Sequence, residues 1–125
     1  MTGATGKGNR MLDVERDTAM VGKVLNALDV RAKAILENLA NKNTPAYKRY
    51  TVSFEELMKK ADQDGKDLLT VEPVVERDMS GPPGQNNVDM LTEMSLLEKV
   101  SLMQDLFTRR AGSYFSTMNK AIFGR

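Results

Sequence analysis

The chain has 125 residues, with 18 Lys plus Arg against 17 Asp plus Glu, three Tyr, four Phe, and no Trp, His or Cys. Such a balance offers no clustered basic excess to neutralise phosphates and no stacking platform, which excludes nucleic acid as a partner. Without imidazole or thiol the commonest general base, thiolate catalysis, disulfides and the usual zinc ligands are gone, and no apolar run approaches the ~20 residues of a membrane helix, so direct membrane insertion is excluded too.

Residues 1–10 are mostly Gly, Thr, Lys and Asn. They lack the apolar core of a secretory signal, read as a flexible tail, and imply that any export uses another route. From around Met11 to Ala40 a helix is expected. Val21, Leu25, Leu28, Ala32, Ile35 and Leu39 alternate at spacings of four and three, which holds one seam on one face. Val24 and Leu36 widen that stripe, so the face is expected to meet more than one neighbour. Pro45 disfavours helix at Thr44, and Asn41 or Asn43 suits a left-handed C-cap.

Tyr47-Lys48-Arg49-Tyr50 forms a small basic and aromatic cluster. It reads as a solvated turn with aromatic anchors, or as a contact for the acidic 62–78 segment of an adjacent copy. Ser53 and Glu56 have capping-box spacing, and Phe54, Leu57, Met58 and Ala61 share one face of a short helix. Leu68–Val71 and Val74-Val75 lean towards strand around Pro73, suiting a small hairpin or an extended arm. Gly81-Pro82-Pro83-Gly84 ends regular structure. Asn86 or Asn87 is placed to cap a last helix over about 88–122, with Asp89 and Glu93 at its positive end. Its apolar stripe is Met90, Met94, Leu97, Val100, Met103, Phe107, Ala111, Tyr114, Met118 and Ile122.

No active site, cofactor site or metal site emerges, so an enzyme is not expected. Glu55 and Glu56 point apart on a helix. Asp62-Gln63-Asp64-Gly65 opens like a calcium loop, but Pro73 stands where the twelfth-position Glu belongs, and a solvated turn is the better reading. The fold class expected is therefore all-α. Long N- and C-terminal helices pair as an antiparallel coiled-coil hairpin, with a short helix and an irregular or extended middle. A hairpin leaves part of each stripe uncovered, and other subunits are the economical cover.

Asn38-Leu39-Ala40-Asn41-Lys42-Asn43-Thr44-Pro45-Ala46-Tyr47-Lys48 resembles the N-terminal signature of the flagellar rod, hook and filament-junction family. The usual form reads N-hydrophobic-A-N-x-x-T-P-G-Y-K. Ala46 departs from it, so the turn either does without positive φ there or tolerates it under strain. Thr51–Leu57, Asn86–Met90 with Glu93-Met94, and the closing Ala121-Ile122 resemble the proximal rod branch of that family. Met103-Gln104-Asp105-Leu106 departs from its usual Tyr-Gln-Ala-Leu. The resemblance covers about residues 20–60 and 84–122.

The resemblance implies a subunit of the bacterial flagellar basal body, exported without a cleaved signal into the periplasmic rod. It would assemble helically with copies of itself, with other rod proteins, and with the membrane ring and export gate at the rod base. Five segments follow: a tail (1–10), an N-terminal coiled-coil helix (11–42), the signature loop with the short helix (43–61), an acidic arm (62–85) and a C-terminal coiled-coil helix (86–125). The expected interface comprises Val21, Leu25, Leu28, Ile35, Asn38, Leu39, Asn41, Thr44, Pro45, Tyr47, Phe54, Leu57, Met90, Met94, Leu97, Met103, Phe107, Tyr114, Met118 and Ile122. The competing expectation is a soluble helical adaptor or export chaperone that covers a partner's amphipathic helix.

Overall fold

The computed structural model describes residues 7–123, with side chains from 15 to 113. The expected tail lies outside the described residues as far as residue 6, and from Lys7 onward the chain is helical, earlier than Met11. The side chains of Tyr114, Met118 and Ile122 also lie outside them. The elements are α1 (Lys7–Ala40), β1 (Tyr50–Ser53), α2 (Glu55–Gln63), a 3-10 turn (Leu68–Thr70), β2 (Val74–Arg77) and α3 (Met90–Phe123).

Helices dominate, and the two long ones, 34 residues each, lie side by side and antiparallel. Asn38 of α1 meets Glu93 of α3 at one end, and Val24 shares a hollow with Phe107 further down. Leu28, Ile35 and Val100 form the buried centre, with Val24, Leu39, Leu96, Leu97, Met103 and Phe107 packed around it. Fully burying each such side chain contributes about 1.5–3 kcal/mol. This is the seam that the four-three spacing predicts.

The expectation of an all-α chain is corrected by a two-stranded sheet. β1 pairs antiparallel with β2, Tyr50 opposite Arg77 and Ser53 opposite Val74. Leu68–Thr70, read as β-leaning, is instead a 3-10 turn whose start is capped by the Asp67 carboxylate accepting from the Leu69 N–H. β2 therefore pairs across a long sequence separation with the segment after the signature, not with its neighbour. Arg31 seals the other edge of β1 by donating to the Val52 carbonyl at 2.9 Å.

Between the sheet strands the chain makes an excursion down α1 and back. α2 starts at Glu55 with the buried Phe54 in the cap position and no side-chain cap, so the Ser53–Glu56 capping box does not form; Ser53 belongs to β1. Glu55 and Glu56 still favour the positive end of the α2 dipole, and Lys60 the negative end. The Asp62–Gly65 turn closes α2 as a Schellman motif. Lys66 N–H donates to the Ala61 carbonyl at 2.9 Å, Gly65 N–H to Asp62 at 3.2 Å, and Gly65 takes φ 70°. No cluster of metal-ligating side chains occurs among the described residues, and none of the described helices is long and apolar enough to cross a membrane.

Candidate functional site

The densest arrangement of polar side chains sits where the signature loop meets the head of α3. Asn38 and Glu93 are both 0% exposed. The Asn38 amide donates to the Tyr50 carbonyl at 2.9 Å and to Glu93 Oε2 at 3.2 Å. Its oxygen accepts from Tyr50 N–H at 2.7 Å and from the Tyr47 hydroxyl at 3.0 Å. One asparagine side chain thus holds α1, the loop, β1 and α3 together. The other Glu93 oxygen accepts from Arg49 Nε, and Arg49 reaches on to Asp78 at 3.2 Å. Among the described residues, no buried side-chain polar atom is left without a partner.

Electrostatics follow this geometry. Burial alone would lower the Arg49 pKa, but hydrogen bonds and charge from Glu93 and Asp78 raise it above the ordinary value. Hydrogen bonds from Ser80, then Arg49, hold Asp78 below the usual carboxylate range. Arg77 stacks on Tyr50, its guanidinium carbon 3.8 Å from the ring centroid, and donates to the Lys48 carbonyl at 2.6 Å. Tyr47 packs edge-on against Tyr50 at 6.3 Å, and burial raises its hydroxyl pKa. Lys48 is itself buried, its ammonium donating to the carbonyls of Ser80 and Pro82. The basic and aromatic cluster therefore finds its acidic and carbonyl partners within the same chain.

The asparagines expected as caps do different work. Asn41 and Asn43 both keep negative φ; Asn41 closes α1 by donating from its side chain to the Glu37 carbonyl at 2.9 Å. Thr44-Pro45-Ala46-Tyr47 is then a turn closed by Tyr47 N–H to the Thr44 carbonyl at 3.3 Å, with Ala46 at φ 60°. Of the two alternatives posed by Ala46, positive φ under strain is the one adopted. Asn86 donates to the carbonyls of Asn41 and Thr44, both at 2.8 Å, and Asn87 binds Arg49 N–H at 2.7 Å and the Asp78 carbonyl at 2.6 Å. They staple the loops together, and at the head of α3 the Thr92 hydroxyl donates to the Asp89 carboxylate.

A second set of polar contacts fastens the excursion to α1. Arg31 forms a two-pronged pair with Glu55, Lys23 meets Glu72, and Arg16 meets Asp67 at 3.1 Å. The Arg31 hydrogen bond lowers the Glu55 pKa and raises that of Arg31. These pairs occupy one flank of α1.

The expected interface residues fall into three groups. Val21, Leu28, Ile35, Asn38 and Phe54 are buried within the chain, with Leu25, Leu39, Asn41, Tyr47, Leu57, Leu97, Met103 and Phe107 partly buried. Thr44, Pro45, Met90 and Met94 are exposed. Sequence reasoning missed Glu93, Arg49, Asn87 and Lys48 as members of the locking network. The signal was present: Glu93 lies seven residues before Val100, inside the apolar stripe, where a carboxylate requires a partner. It also missed the outward leucines of α3, Leu91, Leu102 and Leu106, which are 77%, 69% and 59% exposed.

No protein-family model matches the chain. Two relatives match it along most of its length. The flagellar basal body rod protein FlgB of Borreliella burgdorferi (strain ATCC 35210) is 28% identical over 131 aligned residues, 87% of this chain and 97% of the relative. Its namesake in Bacillus subtilis (strain 168) is 27% identical over 116, 80% of this chain and 88% of the relative. The chain is similar to flagellar basal body rod proteins of the FlgB type. The likeness extends beyond the two stretches that carry the signature, and so takes in part of the middle excursion.

Proposed function

We propose that this chain is a structural subunit of the proximal rod of the bacterial flagellar basal body. It assembles with copies of itself and with other rod proteins into a helical tube, which transmits torque and encloses the export channel. In this reading it reaches the periplasm through the flagellar export apparatus and meets the membrane ring and export gate at the rod base. The observation that carries the reading is the similarity to two FlgB proteins across nearly their whole length. The geometry supports it. The chain's polar groups are spent on locking its own loops, while α3 presents Met90, Leu91, Met94, Leu102 and Leu106 to solvent. A lone molecule gains nothing from that exposure; a subunit with neighbours does.

The experiment is replacement of the chromosomal gene by the Leu102→Asp variant. Leu102 is 69% exposed, so the variant is expected to be made and folded but to give no basal bodies and no swimming. Ile35→Asp is a poorer test, because Ile35 is buried inside the subunit and its loss would damage the fold itself. Normal motility with Leu102→Asp would count against assembly through α3.

A further inference from the structure

Two surfaces flank the helix pair, and each lacks what the other has. The first is the outward ridge of α3, where Leu91, Leu102 and Leu106 fall on one side of the helix. It is roughly 22 Å long at 1.5 Å per residue. The second is a trench where α1 and α3 meet β1 and α2. Two hollows of about 260 and 330 Å³ adjoin there, each far larger than the ~30 Å³ share of one water, and so large enough for side chains. They share Leu28, Arg31, Glu55 and Met103 and form one channel, running along α3 from Leu96 to Phe107, its apolar walls broken by the Arg31–Glu55 pair. That stretch is roughly 17 Å, comparable to the ridge.

Charge decides what fits. On the trench, Lys99 stands on the α3 wall and acts across the opening on Glu55 of α2. On the ridge, helical spacing puts Lys99 along one border and the exposed Glu98 and Asp105 along the other. A helix carrying this ridge can lie in the trench in two directions. In one, its Glu98 meets the receiving Lys99, while its Lys99 faces a Glu55 already held by Arg31. In the other, Lys99 meets Lys99, which is costly.

We propose that the ridge of α3 seats in the trench of a second copy of this chain, in the direction that pairs opposite charges. The proposal rests on the reading of the chain as a self-assembling subunit and names the contact that does it. Ridge and trench are different surfaces, so the contact is head-to-tail. It leaves one trench and one ridge free at the ends of every row, as an open polymer requires and a closed dimer forbids.

The chain has no cysteine of its own, which makes the test direct. Full-length Leu102→Cys and full-length Met58→Cys chains are mixed at a concentration where sedimentation velocity shows self-association, then mildly oxidised. The mixed 102–58 disulfide is expected to exceed the symmetric 102–102 product roughly tenfold. Leu102→Asp should weaken self-association by about tenfold or more at unchanged helix content. A dominant 102–102 product overturns the proposal, as does undiminished association of Leu102→Asp. Self-association without any ridge-to-trench bond defeats this contact alone. A chain that remains monomeric at every concentration defeats the self-assembly reading as well.

Discussion

α1 and α3 are equal in length and share one seam, yet they finish differently. α1 is covered by α3 on one side and by the middle excursion on another, where Arg16, Lys23 and Arg31 find Asp67, Glu72 and Glu55. Among its described residues Leu36 is the one large apolar side chain that stays exposed. Among its described residues α3 packs mainly on α1, and shows five large apolar side chains to solvent. The same hairpin thus contains a helix covered by its own chain and a helix left with an exposed apolar ridge. Stability of the subunit should therefore answer to α1 and the lock, and association to α3.

The largest effect should come from the lock. Glu93→Leu leaves the Arg49 guanidinium partly buried without its main counter-charge, and removing one partner of such a pair costs about 3–5 kcal/mol. Urea unfolding followed by circular dichroism measures it. A loss below about 1 kcal/mol would mean that Asp78 alone compensates Arg49. Next comes a paired test of the two helices. Leu28→Ala empties part of the buried seam and should cost about 2–5 kcal/mol. Leu102→Ala, on the outward ridge, should change the monomer by no more than about 0.5 kcal/mol. Equal losses at both positions would erase the distinction between the helices.

Acid should act through the ion pairs. Glu55 and Asp78 both have pKa values lowered in the folded chain, by Arg31 and by the Ser80 hydrogen bonds respectively. A lowered folded value means the stabilisation is fully present above the unfolded carboxylate range of about 4 and is lost as pH falls through the folded values. Unfolding midpoints should be level from neutrality to mildly acidic pH and fall below it. The Glu55→Gln, Asp78→Asn double variant should flatten that fall.

How far the sequence could be read depended on period. The stripes of α1 and α3 repeat often enough to announce two long helices and the residues between them, Leu28, Ile35, Met103 and Phe107 included. The sheet gave no such signal. β2 is four residues, all exposed, so Val74-Val75-Glu76-Arg77 carries no alternation, and its partner Tyr50–Ser53 resembled a lead-in to α2. The lock was illegible for a related reason. Asn38, Arg49, Asp78, Asn87 and Glu93 are far apart in sequence, and asparagines near helix ends read locally as caps. Only the carboxylate of Glu93 within an apolar stripe pointed to a buried partner, and nothing local named Arg49. The outward leucines of α3 were legible in principle but fell outside the single stripe that the helical period picks out.

The smallest effect tests the one place where the chain departs from the signature it resembles and the backbone shows why it matters. Thr44-Pro45-Ala46-Tyr47 has Pro at the second position, positive φ at the third and a closing hydrogen bond, the arrangement of a type II turn, which favours glycine third. An L-residue held there costs about 1–2 kcal/mol. Glycine removes that cost but loses roughly 0.5–1 kcal/mol more conformational entropy on folding. Ala46→Gly should therefore stabilise the subunit by about 0.5–1 kcal/mol, a rise of a few degrees in melting temperature, without altering association through α3. The turn lies next to Tyr47 and Asn86, both of which hold the lock, so a loss of stability on Ala46→Gly would show that the alanine methyl supports that network and that the strain is compensated locally. A gain would show that α1 ends in a turn whose strain the rest of the lock has to hold, and would place the weakest joint of the covered helix at its exit.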